Sequence, residues 1–396
     1  MHDDPRPVVV FSGGGTGGHL YPALALADAL QRRRPDVRPY FVGAERGVEA
    51  RILPERGVEH LLVPVQGFQR GEGLGNWRAV PALARSLRRT WRLFRRLRPE
   101  AVVVTGGYAG GPAGIAAGAT GVPLVLQEQN AMPGITTRVL ARWADQVHLA
   151  FPEAAGFLPA RAFERTVESG NPVRTGRIPD RREARSALGV PDEPPVVLVT
   201  GGSQGSRALN QGVEAWVRSV MPGQGERRPY GLHLVWVTGP SHLDAVVARL
   251  EDVLAGRKLP DWIHLHGYMN DMPMAMAASD LAVSRAGAMT TAELLCFGLP
   301  AILVPLPTAA ADHQALNAEA LEEAGAARLL PEAELTAETL GSALDELLEG
   351  AGTLAGMRAA ALERARPDAA DEIAAHIAKL LPEEAPSAVH PPSEDA

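Results

Sequence analysis

Three observations predict an α/β fold with two parallel-sheet domains. Short apolar runs alternate with helical stretches, a glycine-rich turn joins the first run to the first helix, and the same opening recurs near residue 196. Val8 to Phe11 is a β-branched and aromatic run of the kind found in a strand buried on both faces. Ser12 to Gly18 is mostly glycine, and His19 to Arg34 then places Leu20, Ala23, Leu24, Ala27 and Leu30 at helical spacing. Further strands are expected at Pro39–Val42, His60–Val63, Ala101–Thr105, Pro123–Leu126 and Gln146–Leu149. The stretch 170–195 carries Pro172, Pro179, Pro191, Pro194 and Pro195 among many charges and reads as a linker or domain edge. The pattern then restarts with a strand at Val196–Thr200, a second glycine turn at Gly201–Gly205 and a helix over 207–220. Strands are expected again at His233–Val237, Ile263–His266, Leu281–Ser284 and Ala301–Val304. Residues 382–396, rich in Pro, Glu and Ser, read as a disordered tail.

Composition narrows the function. A chain of 396 residues has room for two or three domains, and 46% hydrophobic residues supply large cores. The single cysteine, Cys296, excludes an internal disulfide framework and a cysteine-built zinc site. A net charge of −7 argues against a general nucleic-acid binder. No run of eighteen apolar residues suits a transmembrane helix, and the polar start at Met1 to Pro7 does not read as a signal peptide. The expectation is a soluble, intracellular, two-domain protein.

Several groups could carry chemistry. Gly13, Gly15 and Gly18 match G-x-G-x-x-G between a strand and a helix, where glycines let backbone approach a ligand; the alternative is a tight turn with no ligand. A dinucleotide site also wants an acidic residue after the second strand, and Glu45 is the nearest. His19 starts the helix. A helix N-terminus disfavours a cationic imidazole, so a general-base role and a packing role both stand. In the second half, Ser203 and the backbone of Gly201–Gly205 suit a phosphate oxygen. Gly287 and Ala288 leave room for a diphosphate at the start of a helix in which Glu293 could accept from ribose hydroxyls or merely favour the helix start. Gln127 to Asn130 and Asp312 to Gln314 with Asn317 follow strands, where open parallel sheets bind ligands. No metal-ligand pattern and no G-x-x-x-x-G-K-[ST] is present.

Between Asn76 and Pro99 stand arginines 78, 85, 88, 89, 92, 95, 96 and 98, with no acidic residue. Val80, Leu83, Leu87, Trp91, Phe94 and Leu97 form one apolar stripe at helical spacing. The stretch reads as a membrane-surface helix, as a core-facing helix with a solvated basic rim, or as both; nucleic-acid binding is a third reading, disfavoured by the acidic whole.

Gly13-Gly14-Gly15-Thr16-Gly17-Gly18-His19, Gly106-Gly107-Tyr108, Glu128-Gln129-Asn130, Gly170-Asn171-Pro172-Val173-Arg174, Gly201 to Gly205 and Ser284-Arg285-Ala286-Gly287 resemble, in order, the motifs of the MurG family of peptidoglycan N-acetylglucosaminyltransferases. The resemblance runs from about Val8 to about Leu381. It implies the GT-B fold: two Rossmann-like parallel-sheet domains facing a cleft. Here these would be residues 1–172 on the acceptor and membrane side and 173–366 on the donor side, with a helix over 367–381 returning to the first. It implies transfer of N-acetylglucosamine from UDP-N-acetylglucosamine to the 4-hydroxyl of lipid I, with inversion, at the cytoplasmic face of the cell membrane, without a metal or other cofactor. The motif positions imply His19 as base with Glu128 second; Thr16, Gly17 and Gly18 near the donor; and Asn130 and Gln314 on the sugar. They imply Arg174 and Ser203 on the nucleotide–diphosphate side, Met269 at the uracil, and Ala288, Met289, Thr290, Thr291, Ala292 and Glu293 on diphosphate and ribose. Trp91, Arg88, Arg92 and Arg95 would meet the lipid headgroups. Thr308 to Ala311 is more apolar than expected beside a sugar site, and Gly67–Gly71 matches the family's flexible loop only loosely. The competing readings are another GT-B transferase with a lipid acceptor such as diacylglycerol, a non-catalytic nucleotide-sugar binder at the membrane, and a NAD-dependent dehydrogenase. Gly13–His19, Gly106–Tyr108 and Glu128–Asn130 favour the MurG-like acceptor side.

Overall fold

The computed structural model describes residues 6–65, 79–173, 176, 178–193, 195–221, 231–254, 258–350 and 352–383. Its contacts divide the chain into two units: Met1–Gln127, Val139–Val147 and Ala370–Ala396 form the first, and Glu128–Arg138 with His148–Ala369 the second. The expected tail lies largely outside the described residues, as does the stretch Gly67–Gly71.

The chain opens with β1 (Val8–Ser12), α1 (Gly17–Arg33), β2 (Arg38–Ala44), α2 (Glu49–Glu55), β3 (His60–Val63), α3 (Ala79–Leu97), β4 (Ala101–Val104), α4 (Gly107–Thr120) and β5 (Leu124–Glu128). It continues with α5 (Ile135–Leu140), β6 (Gln146–Leu149) and β7 (Thr166–Glu168). The seven strands lie in the order β3-β2-β1-β4-β5-β6-β7. Val10 of β1 sits opposite Tyr40 of β2 and Val102 of β4, parallel on both sides. Flanked on both edges and covered on both faces, β1 is buried throughout, which is why its sequence does not alternate.

The second half runs α6 (Arg181–Leu188), β8 (Val196–Thr200), α7 (Arg207–Val220), β9 (His233–Val237), α8 (Leu243–Leu254), β10 (Ile263–His266), α9 (Met272–Ala278), β11 (Leu281–Ser284), α10 (Ala288–Cys296) and β12 (Ala301–Leu303). It ends with α11 (His313–Glu323), β13 (Ala327–Leu329), α12 (Ala337–Glu349), α13 (Thr353–Arg364) and α14 (Ala369–Ala378). Its six-stranded sheet has the order β10-β9-β8-β11-β12-β13, parallel throughout. Both sheets therefore contain the Rossmann order 3-2-1-4-5-6, which reverses direction beside the strand that carries the glycine turn.

Two expectations change. The proline-rich stretch after Gly170 is no plain linker. It contains α6, capped by the Asp180 carboxylate on the Arg182 and Glu183 N–H groups. Arg185 is only 1% exposed there, and its guanidinium is matched by the Asp280 carboxylate at 2.7 Å and the Ala278 and Pro191 carbonyls. The apolar stripe of α3 also divides. Ala82, Ser86, Thr90, Leu93 and Phe94 are buried, while Val80 is 59% and Trp91 41% exposed. α3 packs against α4, whose Gly110, Ala113 and Ala117 are buried. A face of small residues accepts close contact with small partners such as Ala82, Ser86 and Thr90.

The first core joins Val9, Phe11 and Val103 of the sheet to Leu20, Leu24 and Leu30 of α1, and takes in Ile373 and Ile377 of α14. Among the described residues, no helix is long and apolar enough to cross a membrane.

Candidate functional site

In the first unit the chemistry gathers beyond the carboxyl end of β1. The loop bends at Gly15, whose φ is +93° and whose missing Cβ would lie 2.4 Å from the Tyr108 ring. Only glycine serves there. Thr16 caps α1 through its backbone, with no side-chain hydrogen bond, and is exposed together with Gly18. Gly17 and His19 are half-buried. The Thr105 hydroxyl donates to the His19 carbonyl at 2.7 Å, and a Cβ on Gly107 would meet the His19 ring carbon Cδ2 at 2.9 Å. The loops after β1 and β4 thus fix one histidine between them. Burial raises the Tyr108 phenol above its ordinary value, and the Glu49 charge adds to the rise.

The expected acidic partner is not where the dinucleotide spacing puts it. Glu45 is a surface residue paired with Arg89 at 2.6 Å. The carboxylate that reaches the loop belongs to Glu49, which accepts the Gly15 N–H at 2.8 Å. A seven-residue helix, α2, starts at Glu49 and carries it under the loop, so its distance in sequence from the second strand did not reveal it.

In the second unit the site forms around three carboxamides and one carboxylate. Glu128 is buried, and its carboxylate accepts from the backbone N–H groups of Gln129 (3.1 Å), Asn130 (3.2 Å) and Gly134 (3.0 Å), the Asn130 amide (3.3 Å) and the Thr137 hydroxyl (2.6 Å). With its lone pairs engaged in holding the turn, Glu128 is a shaping group. Asn317 accepts the Ala131 N–H at 2.8 Å and donates to Asn130 Oδ1 at 3.2 Å and the Ala286 carbonyl at 3.1 Å. Asn171 donates to the carbonyls of Gln129 and Ala288, each at 3.1 Å. Together they bind the Glu128–Ala131 turn to the start of α10.

The other expected residues lie at the carboxyl edge of the second sheet: Ser203 after β8, Met269 after β10, the start of α10 after β11 and Gln314 after β12. Ser203 is exposed, and Met269 packs partly against the core. Gln314 accepts the Leu306 N–H at 3.0 Å. Ala288, Met289, Thr290 and Ala292 are half-buried, and Thr291 is buried and turned back on the Gly287 and Ala288 carbonyls. The α10 N-terminus has no side-chain cap, so its first N–H groups remain for a ligand. Burial pushes the Glu293 carboxyl up to about 7. Arg285 spans two loops, donating to the Ser206 hydroxyl at 2.7 Å and the Val304 carbonyl at 3.0 Å and pairing with Glu332. Arg174 lies outside the described residues.

The comparisons with known proteins agree over most of the chain. The glycosyltransferase family 28 N-terminal domain matches residues 9–149 and the C-terminal domain residues 196–373. A UDP-N-acetylglucosamine–N-acetylmuramyl-(pentapeptide) pyrophosphoryl-undecaprenol N-acetylglucosamine transferase of Salinibacter ruber is 43% identical over 375 residues, 94% of this chain and 97% of the relative. The crystal structure of Acinetobacter baumannii MurG is 28% identical, with a TM-score of 0.74 over 94% of this chain and 99% of that one. This chain belongs to the MurG family. MurG-family membership makes it a glycosyltransferase, and the paired parallel sheets are those expected of GT-B. The Neisseria meningitidis UDP-GlcNAc 2-epimerase bound to UDP-GlcNAc is 14% identical with a TM-score of 0.64, covering 94% of this chain and 99% of that one, and shares the fold alone. In the sequence Asn317 stood among polar residues after a strand and Asn171 within a family motif; their clamping hydrogen bonds became visible only in the structure.

Proposed function

We propose that this chain transfers N-acetylglucosamine from UDP-N-acetylglucosamine to the 4-hydroxyl of the N-acetylmuramoyl unit of lipid I, giving lipid II. The supporting observation is 43% identity across 94% of the chain to a relative named for that transfer. The hydroxyl oxygen attacks the anomeric carbon, the bond from that carbon to the diphosphate oxygen breaks with inversion, and UDP leaves with the bonding pair. His19 takes the hydroxyl proton, helped by the fixed placement that Thr105 and Gly107 impose on it. The uncapped N-terminus of α10, at Ala288 to Thr291, stabilises the charge growing on the departing diphosphate. Glu293 receives ribose hydroxyls, the Met269 backbone meets the uracil, Asn130 and Gln314 meet the sugar, and Ser203 and Arg174 serve the nucleotide–diphosphate side. Thr16, Gly17 and Gly18 line the path to the donor. Glu128 acts by holding Asn130 in place.

The same reading assigns residues 1–172 to the acceptor and 173–366 to the donor, with 367–381 returning to the acceptor domain. It places the protein at the cytoplasmic face of the membrane. There Trp91 would enter the headgroup region, and Arg88, Arg92 and Arg95 would meet anionic lipid. The test is UDP release from UDP-N-acetylglucosamine with and without a short-chain lipid I analogue. Analogue-dependent release with a disaccharide product is expected. Donor binding without release, or release driven instead by diacylglycerol, overturns the acceptor.

A further inference from the structure

Glu49 has 0% exposure, yet it carries a carboxylate into the core side of the glycine loop. Its Oε1 accepts two backbone N–H groups, Gly15 of the loop at 2.8 Å and Ala44 at the end of β2 at 3.2 Å. Its Oε2 has no hydrogen-bond partner. Three glycines make room for it. A Cβ would fall 1.6 Å from Oε1 at Gly14, 2.0 Å from Oε2 at Gly47 and 2.7 Å from the Glu49 Cβ at Gly43. A buried carboxylate with one oxygen unmatched is costly to a fold, and clearing three backbone positions for it adds to that cost. Core packing alone does not call for a carboxyl here; its positive contribution is to accept the Gly15 and Ala44 N–H groups, which an apolar side chain would leave unmatched.

The carboxylate has one consequence toward the chemistry: it fixes the direction of the Gly14–Gly15 peptide. That peptide lies between Glu49 on one side and the Tyr108 ring and Gly107 on the other. A Cβ on Gly107 would strike the Gly14 carbonyl at 2.0 Å and the His19 ring at 2.9 Å. A rotated Gly14–Gly15 peptide would therefore turn its N–H away from Glu49 and its carbonyl away from Gly107, disturbing the backbone beside the His19 ring. We infer that Glu49 is a positioning residue for the transfer step, a buried hydrogen-bond acceptor that holds the glycine loop so that the His19 ring keeps its bearing. The inference rests on the reading of His19 as the base.

The experiment compares Glu49→Gln, Glu49→Asp and His19→Ala in the full-length protein, with steady-state kinetics against donor and lipid I analogue. Glu49→Gln keeps an accepting oxygen at the same reach and loses the charge. Glu49→Asp keeps the charge and loses the reach. If the hydrogen bond positions the loop, Glu49→Gln keeps kcat within about threefold. Glu49→Asp lowers it at least roughly 30-fold, with the donor KM within twofold of wild type, because most of the donor residues follow strands of the second sheet. Equal kcat for Glu49→Asp and wild type overturns the proposal, as does equal damage in both variants or a donor KM that rises in step with the loss. A thermal melt accompanies each variant. Should Glu49→Asp not fold, Glu49→Gln decides alone: a kcat loss beyond tenfold in a folded protein refutes the hydrogen-bond role, and retention supports it. If His19→Ala keeps full turnover, the base assignment fails, and that outcome is separable from any result at Glu49.

Discussion

At the scale of single residues, the carboxylates differ by what surrounds them. Glu128 is saturated with donors, Glu49 holds two N–H groups, and Glu293 is raised to about 7 by burial. That value puts the titration of the Glu293 carboxyl near neutrality. Its ordinary value is 4.5, so in the free protein it stays largely protonated up to about pH 7. The sign for stability follows: protonation favours the folded state, fully below about 4.5, and that contribution is lost as pH rises through about 7. Donor binding runs the opposite way, because an ionised carboxylate accepts ribose hydroxyls more strongly. Calorimetric titration with UDP-N-acetylglucosamine should show Kd falling by up to roughly tenfold between pH 6 and pH 8, and Glu293→Gln should abolish the slope. A slope that survives the substitution would assign the titration elsewhere. The glycine loops, His19 and the α10 start were legible in the sequence because glycine spacing after a strand has a local cause. Glu49 was not, because its partner Gly15 lies 34 positions away and only the fold of α2 brings them together.

At the scale of elements, α3 shows how far periodicity reaches. The recurrence of apolar residues marked the helix correctly, and the structure places it at Ala79–Leu97. Which side turns inward was not readable from periodicity alone, since it depends on the elements that α3 packs against, α4 and β3. The outcome is a helix with Ser86 and Thr90 inside and Trp91 outside, beside arginines 88, 92 and 95, which are exposed. Replacing Arg88, Arg92 and Arg95 with glutamine should weaken co-sedimentation with anionic vesicles by about 3 kcal/mol at low salt, at roughly 1 kcal/mol per charge, and by less at higher salt. The melting temperature should stay put, since the three side chains face solvent. Unchanged vesicle binding would leave α3 with a packing role only. The three-residue strands β7 and β13 also escaped the sequence reading. Each is too short to show a pattern that could identify it, and each lies at the edge of its sheet.

For the molecule as a whole, the duplication was legible because both halves open with the same strand, glycine turn and helix, and both sheets adopt the same order. Near the chain end, Ile373, Ala374 and Ile377 of α14 are all 0% exposed in the core that includes residues of β1 and α1. Arg32 with Asp371 at 2.8 Å and the Gln146 amide with the His376 carbonyl at 3.2 Å flank that contact at the surface. Ile377→Ala should lower the unfolding free energy of the first unit by about 2–5 kcal/mol in urea titration, while UDP binding stays within twofold. A change under 1 kcal/mol would make the helix an ornament of the core. The contact also orders events in time. Ile373 follows Leu30 by 343 positions in a chain of 396 residues. At ~5–20 residues per second of synthesis, the first hydrophobic core waits roughly 17–70 seconds for its last wall, and the second sheet is complete before the first is sealed. During that interval the apolar surface of α1 that α14 will cover stands open on the ribosome, so the part of the chain made first is the part finished last.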